Sequence, residues 1–197
     1  MNRTEYGVAR TSCACPSCAR FCEFMPGYLV PADLGRMIPL ECNRCHRVMR
    51  DTTACDGACE CGGLIHVCDP RTWAESNLLA SPGALVLQGG KPFRIHTLVP
   101  ARQESGACIH FTDEGSCAIH LVAPFGCAFF GCDDYTAGKM MANHAALEDI
   151  YRAQLDRASL YCTIWEHLWS LGKRTPAPEV ARALMKKGDG HERVSLR

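Results

Sequence analysis

The sequence predicts an α+β protein with a small, irregular, cysteine-rich core that metal stabilises, with short antiparallel strands and C-terminal helices. Two observations predict this class: the 197-residue chain contains 15 cysteines, and apolar residues recur with a helical period from Gly138 to Leu171. Short alternating segments such as Phe93 to Val99 indicate strands. We expect a metal- or iron–sulfur-binding domain over residues 1–137, with a zinc-ribbon-like insertion over 40–70, and a helical region over 138–190 packed on it.

Charge and hydropathy argue against two classes of partner. Lys plus Arg and Asp plus Glu each number 21, so the formal net charge is zero. A protein that coats nucleic acid needs a basic excess, so we expect no nucleic-acid partner. The apolar runs are too short to cross a bilayer, so we expect no membrane partner. The polar N-terminus predicts a cytoplasmic location, where clustered cysteines are metal ligands rather than disulfides.

The first cysteine group lies near the N-terminus. Its members are separated by one, two and three residues, so four thiolates fall close together along the chain. This density is typical of a loop that binds an iron–sulfur cluster, because the sulfurs must converge on one inorganic core. The group consists of Cys13, Cys15, Cys18 and Cys22. A short helix over Pro31 to Ile38 is expected to follow it.

The second group predicts a metal site, with zinc as the first candidate. It consists of Cys42, Cys45, Cys55, Cys59, Cys61 and Cys68. Two close pairs, the second followed by Gly62-Gly63, are similar to the two knuckles of a zinc ribbon. Cys59 and Cys61 are separated by one residue where a knuckle has two, so Cys55 is an alternative to either of them.

The third group consists of Cys108, Cys117, Cys127 and Cys132. A turn at Asp113-Glu114-Gly115 predicts a hairpin that brings Cys108 and Cys117 side by side. We expect a helix from Pro70 to Ala80, a strand over Ala84 to Leu87, and one long helix from Gly138 to Leu171. Cys162, on the apolar face of that helix, is interpreted as a buried small apolar residue, with a distant cluster ligand as the alternative.

Two stretches of the chain, about residues 13–38 and 106–132, resemble the YkgJ-like family of zinc- or iron-chelating cysteine-cluster domains. The first is the N-terminal cysteine group followed by Pro31-x-Asp33-Leu-x-Arg36. The second runs from Cys108 through Gly115-x-Cys117-x-Ile119 to Pro124-x-x-Cys127. The resemblance implies metal chelation by Cys13, Cys15, Cys18, Cys22, Cys108, Cys117 and Cys127. It implies no particular reaction.

Ligand counting leads to a functional hypothesis. The first and third groups together hold eight cysteines, enough for two centres of four ligands each. We predict one or two [4Fe–4S] clusters that serve electron transfer or redox catalysis with a redox or protein partner. In an enzyme, one iron would keep an open position for substrate. The alternative is a zinc-binding structural or accessory protein that engages a protein partner. Because no phosphate-loop, GxSxG or HExxH motif is present, any reaction would be run by the metal centre.

Overall fold

Short helices and short strands alternate along the chain in the computed structural model, which describes residues 22, 27–49, 59–88, 90–119, 123–130 and 137–180. The elements are α1 (Pro31–Met37), β1 (Leu40–Cys42), β2 (Val48–Met49), β3 (Ile65–Val67), α2 (Pro70–Asn77), β4 (Leu78–Gln88), β5 (Lys91–Pro100), α3 (Phe125–Phe130), α4 (Ala137–Leu155) and α5 (Leu160–Ser170). Helices mixed with two small antiparallel sheets confirm the predicted α+β class.

The sheet with more residues is a two-stranded, long hairpin of β4 and β5. Its register pairs Leu78 with Pro100 at the base and Gln88 with Lys91 at the turn, with an irregularity after Ser81. The predicted helix from Pro70 therefore ends at Asn77, and the predicted strand is part of an 11-residue one. Ser81-Pro82-Gly83, which directly follows the predicted helix, forms a bulge within β4. Proline has no N–H to give to a ladder, and Gly83 adopts a φ of 71° that suits a bulge.

The helices cover the hairpin and form the main core with it. α4 packs on β5, and α5 packs on both strands and on α2. Side chains with no exposed surface fill the interface, including Leu29, Leu78, Leu98, Ile150, Ile164 and Leu168. The Tyr161 hydroxyl accepts a hydrogen bond from the Leu98 N–H at 2.9 Å and donates one to the Leu29 carbonyl at 2.8 Å. Burial raises the pKa of Tyr161, so it stays a neutral donor.

The single long helix expected from Gly138 to Leu171 is wrong, because the chain forms two helices with a break between Leu155 and Leu160. Ser159 begins the second helix as its N-cap, and its hydroxyl accepts a hydrogen bond from the Cys162 N–H at 3.1 Å. Apolar residues continue at helical spacing across the break because both helices face the same core. Periodicity alone therefore could not show the interruption.

The smaller sheet has three antiparallel strands in the order β2-β1-β3. Glu41 on β1 lies opposite both Val48 on β2 and His66 on β3. Its strands have three, two and three residues, and Val48 and Val67 are each 56% exposed. A sheet this small buries too little apolar surface to be stable by itself, so a further source of stability is required.

Asp33 joins α1 to α3 through buried hydrogen bonds. Its carboxylate has no exposed surface and accepts bonds from the Val30 N–H at 2.9 Å and the Phe125 N–H at 2.8 Å. The same side chain forms an ion pair with Arg36. Because Phe125 is the first residue of α3, Asp33 sets where that helix begins and thus where Cys127 lies.

Replacing Asp33 with alanine is expected to destabilise the protein by about 3 kcal/mol or more, because two buried N–H groups and a guanidinium lose their acceptor together. Urea unfolding of the anaerobic protein, followed by far-ultraviolet circular dichroism, measures the change. Asp149→Ala is the matched control, since Asp149 is 42% exposed and its ion pair with Arg152 is long, at 3.8 Å. This variant should shift stability by less than about 0.5 kcal/mol. Equal stability of the two variants would contradict the role assigned to Asp33.

Candidate metal centre

Four cysteines from the small sheet converge at one point. The sulfur atoms of Cys42, Cys45, Cys59 and Cys61, hereafter the four-sulfur group, all lie within 4.8 Å of one another. Two of these separations are 3.4 Å, between Cys42 and Cys61, and 3.7 Å, between Cys45 and Cys59. Among the described residues, this is the one set of three or more Cys, His, Asp or Glu side chains whose ligand atoms lie so close together. The group could hold a metal ion.

The first pair lies where β1 turns into β2. Cys42 ends β1, and its carbonyl accepts a hydrogen bond from the His46 N–H at 3.0 Å. His46 has a φ of 56°, which closes this turn tightly. The Arg44 N–H points at the Cys42 sulfur from 3.4 Å, as backbone amides do around metal-bound thiolates. The turn therefore presents Cys42 and Cys45 to the same point.

The second pair lies in the turn that leads into β3. The Cys59 N–H donates to the Gly63 carbonyl at 2.9 Å, and the Gly62 N–H donates to the Cys59 carbonyl at 2.7 Å. A Cβ atom on Gly63 would lie 2.5 Å from the Cys42 sulfur. The second glycine of the Gly-Gly pair is thus required because the Cys42 sulfur occupies the space beside it.

Electrostatics within the four-sulfur group suit a cation. Hydrogen bonds from the backbone amides of Cys45 and Arg44 lower the pKa of the Cys42 thiol to about 6. The Arg47 amide acts in the same direction on Cys45, but the thiols of Cys61 and Cys42 outweigh it and raise the pKa of Cys45 to about 12. One thiolate forms readily, and further ones require a positive ion to offset their mutual repulsion.

A second set of thiols, hereafter the Cys127 group, consists of Cys22, Cys108, Cys117 and Cys127. The Cys108 N–H donates to the Cys22 carbonyl at 2.7 Å. Burial raises the pKa of the Cys127 thiol, and the proximity of Cys108, Cys22 and Cys117 raises it further. Burial also raises the pKa of Cys108 to about 11, against the effect of the His110 amide, and Cys117 adds to the rise. Cys22 of the first group therefore lies near Cys108, Cys117 and Cys127 of the third, at a wider sulfur spacing than in the four-sulfur group.

Cys108 and Cys117 occupy equivalent positions in two consecutive loops of the same shape. Isolated bridges pair Arg102 with Cys108 and Phe111 with Cys117. The predicted turn at residues 113–115 is present, but it pairs Cys117 with Phe111 rather than with Cys108, so the expected hairpin register is wrong. Each loop has a glycine of positive φ two residues before its cysteine, Gly106 and Gly115. This Gly-x-Cys repeat at a nine-residue interval was the signal that sequence analysis missed.

The sulfur of Cys127 is held where two chain segments cross. The Gly27 N–H donates to the Cys127 sulfur at 3.2 Å, and the Gly126 N–H donates to the Tyr28 carbonyl at 2.8 Å. A Cβ on Gly27 would overlap the Cys127 backbone nitrogen, and one on Gly126 would overlap the Tyr28 nitrogen. Both glycines are therefore needed for the crossing that places Cys127.

The remaining predicted site residues lie elsewhere. The Cys68 thiol is outside the four-sulfur group and points to the Glu41 carboxylate at 3.7 Å. Cys162 is buried within α5, and its sulfur lies 3.8 Å from the Gln154 carbonyl, as expected of a small core residue. The other predicted ligands lie outside the described residues: Cys13, Cys15, Cys18, Cys55 and Cys132.

Within the described part of the chain, no helix combines the length and the apolar character that crossing a membrane requires. Comparison of the chain with protein-family models, with curated proteins and with solved structures gives no match in any of the three. The resemblance to the YkgJ-like family thus stays a prediction, and the arguments about function depend on the geometry of the cysteines.

Proposed function

We propose that the protein is a metalloprotein with two kinds of thiolate centre. A single zinc ion in the four-sulfur group stabilises the three-stranded sheet, and an iron–sulfur cluster in the Cys127 group serves electron transfer or redox catalysis. The observation that carries the proposal is the convergence of four cysteine sulfurs within 4.8 Å of one another. Four thiolates complete the shell of one tetrahedral ion without help from solvent.

The spacing of the four-sulfur group supports a single ion. A tetrahedral ion about 2.3 Å from each thiolate keeps the sulfurs about 3.8 Å apart. The separations of 3.4 Å and 3.7 Å come close to that value. A single iron ion would fit the same sulfurs, and metal analysis distinguishes the two. The closed shell and the small surrounding sheet favour a structural role, in which metal affinity contributes directly to folding.

Three features of the Cys127 group support a cluster. In a [4Fe–4S] cluster each thiolate binds a different iron, so the sulfurs stand further apart than around one ion. The Gly27 N–H at 3.2 Å from the Cys127 sulfur is the kind of donor that sets the reduction potential of such a centre. The resemblance to the YkgJ-like family adds support, because it implies Cys22, Cys108, Cys117 and Cys127 as ligands. A redox partner would exchange electrons with this centre.

The alternative function is that of a zinc-only accessory protein that engages a protein partner. The observation that favours it is the exposed apolar surface on and beside the small sheet, where Val48 is 56%, Leu64 is 67% and Val67 is 56% exposed. Such residues suit a protein–protein contact. In this version zinc would occupy the Cys127 group as well, and the protein would be colourless.

Metal and sulfide analysis of the full chain purified without air tests the proposal. We expect one zinc per chain, iron and acid-labile sulfide in equal amounts, a brown colour and a cluster that EPR-monitored titration reduces reversibly. Cys127→Ser should lose iron and sulfide but keep zinc, whereas Cys162→Ser, a buried cysteine outside both groups, should keep all three. Zinc without sulfide would overturn the cluster in favour of the accessory function. Absence of both metals, with paired half-cystines, would overturn both.

A further inference from the structure

A cavity of about 540 Å³ opens beside the small sheet, away from the four-sulfur group. It lies between that sheet, α1 and α2, and its apolar wall includes Met37 and Trp73. The same cavity is lined by Glu41, His66 and Cys68, which bring a carboxylate, an imidazole and a thiol to one space. These three residue types are the donors that zinc and similar divalent ions prefer in proteins.

Strand register explains why the three side chains share one face. Glu41 on β1 lies directly opposite His66 on β3. Cys68 follows His66 by two residues, and residues two apart along extended chain point to the same side. The Cys68 thiol donates to Oε2 of Glu41 at 3.7 Å, while Nδ1 of His46 lies 2.8 Å from Oε1 of the same carboxylate. Glu41 is therefore held in place by neighbours on both oxygens.

We propose that Glu41, His66 and Cys68 form a second, open metal site, separate from the four-sulfur group, for a divalent transition-metal ion such as zinc. Three protein ligands with a fourth position open to a cavity are typical of catalytic rather than structural zinc. Binding releases the Cys68 thiol proton to solvent and frees Oε2 of Glu41 to become a ligand. His46 stays on Oε1 and orients the carboxylate.

Metal binding at this site requires the three side chains to move closer together. Among the described residues, only the four-sulfur group has all its ligand atoms within 4.8 Å, so the Glu41 site is not yet at coordination distance. Glu41 and Cys68 are already in contact, and His66, which lines the same cavity, has an exposed side chain. The fourth position then faces a cavity large enough for a small molecule. A small anion with a donor atom is the class of ligand expected there, since it would bind the ion directly.

Cobalt titration of the full chain tests this site. After zinc content is measured, Co²⁺ is added without air to protein that keeps its native metals, and difference spectra are recorded. We expect one further equivalent of cobalt, with a single-thiolate charge-transfer band and visible d–d bands that shift when azide is added. Cys68→Ser should abolish the charge-transfer band, and His66→Gln should weaken cobalt binding by about tenfold or more. The controls Cys162→Ser and His144→Gln should leave both unchanged.

The outcomes separate this site from the four-sulfur group. Cobalt that exchanged into the four-sulfur group would show a four-thiolate spectrum that persists in Cys68→Ser. Cobalt held only by exposed histidines would show no thiolate band and would overturn the proposal. So would a total of bound zinc and added cobalt that stays at one ion per chain in the wild-type protein.

Discussion

Replacing Cys59 with serine is expected to release the ion of the four-sulfur group and to unfold the small sheet, while the β4–β5 hairpin and its helices stay folded. A neutral hydroxyl is a poor ligand for a thiolate-binding ion, and binding of structural zinc contributes on the order of 10 kcal/mol to folding of such small units. The sheet has little other source of stability, because its strands have at most three residues. Zinc content and amide hydrogen exchange measure the effect. The Asn43 amide, which bonds to the Leu64 carbonyl at 3.0 Å, should lose its protection, whereas the Leu98 amide should keep it.

Cys68→Ser is the matched control for this prediction. Cys68 lies close to the same sheet, but its sulfur faces Glu41 instead of the four-sulfur group. The variant should therefore keep the zinc of that group and the protection of the Asn43 amide. If Cys59→Ser retained one zinc per chain with full protection, another thiol, such as Cys55, would be the fourth ligand and the assignment of Cys59 would be wrong.

The ligands of the four-sulfur group were predictable as two pairs, because cysteines one or two residues apart at a turn have few ways to point except together. Sequence could not show which of the six cysteines between residues 42 and 68 complete the site. That choice depends on strand register, which places Cys68 beside Glu41 and therefore outside the group. Glu41 carried no recognisable signal, since a lone carboxylate is ordinary on a surface strand.

The third cysteine group shows a different limit. The turn at residues 113–115 was correctly located, yet its partner strand was not, because a hairpin signal fixes only the turn. Two copies of the same loop, ending at Cys108 and Cys117, replace the one hairpin expected. Prediction of the helical region had the same limit. Ser159 is a good N-cap residue in the middle of a periodic stretch. The break between the helices that it marks depends on how α4 and α5 pack against each other.

The contact of Cys22 and Gly27 with the third cysteine group joins segments that are far apart in the sequence. One hydrogen bond joins Cys108 to Cys22. Another joins Gly27 to Cys127, which lies 100 positions further along the chain. Spacing within each group could not predict this meeting; counting ligands and the family resemblance suggested it. In physical terms the contact depends on two glycines that have no pattern of their own, Gly27 and Gly126, and on the buried carboxylate of Asp33.

Gly27→Ala is accordingly expected to be among the most damaging small substitutions in the protein. The added Cβ would overlap the backbone nitrogen of Cys127, and backbone cannot move aside as a flexible side chain can. We expect a loss of about 4 kcal/mol or more in the free energy of unfolding, together with loss of the iron and sulfide assigned to the Cys127 group. Urea unfolding and metal analysis of the same anaerobic sample measure both effects. Zinc in the four-sulfur group should remain bound.

Gly35→Ala makes the same chemical change at a position in α1 where a Cβ would meet nothing within 4 Å. Because alanine favours helix over glycine, this control should be neutral or more stable by about 0.5–1 kcal/mol, with iron, sulfide and zinc unchanged. The reciprocal change Gly126→Ala should reproduce the damage, since its Cβ would overlap the Tyr28 backbone from the other side of the crossing. Normal iron content and normal stability in Gly27→Ala would mean that the two segments do not cross closely. The placement of Cys127 beside Cys22 and Cys108 would then be wrong as well.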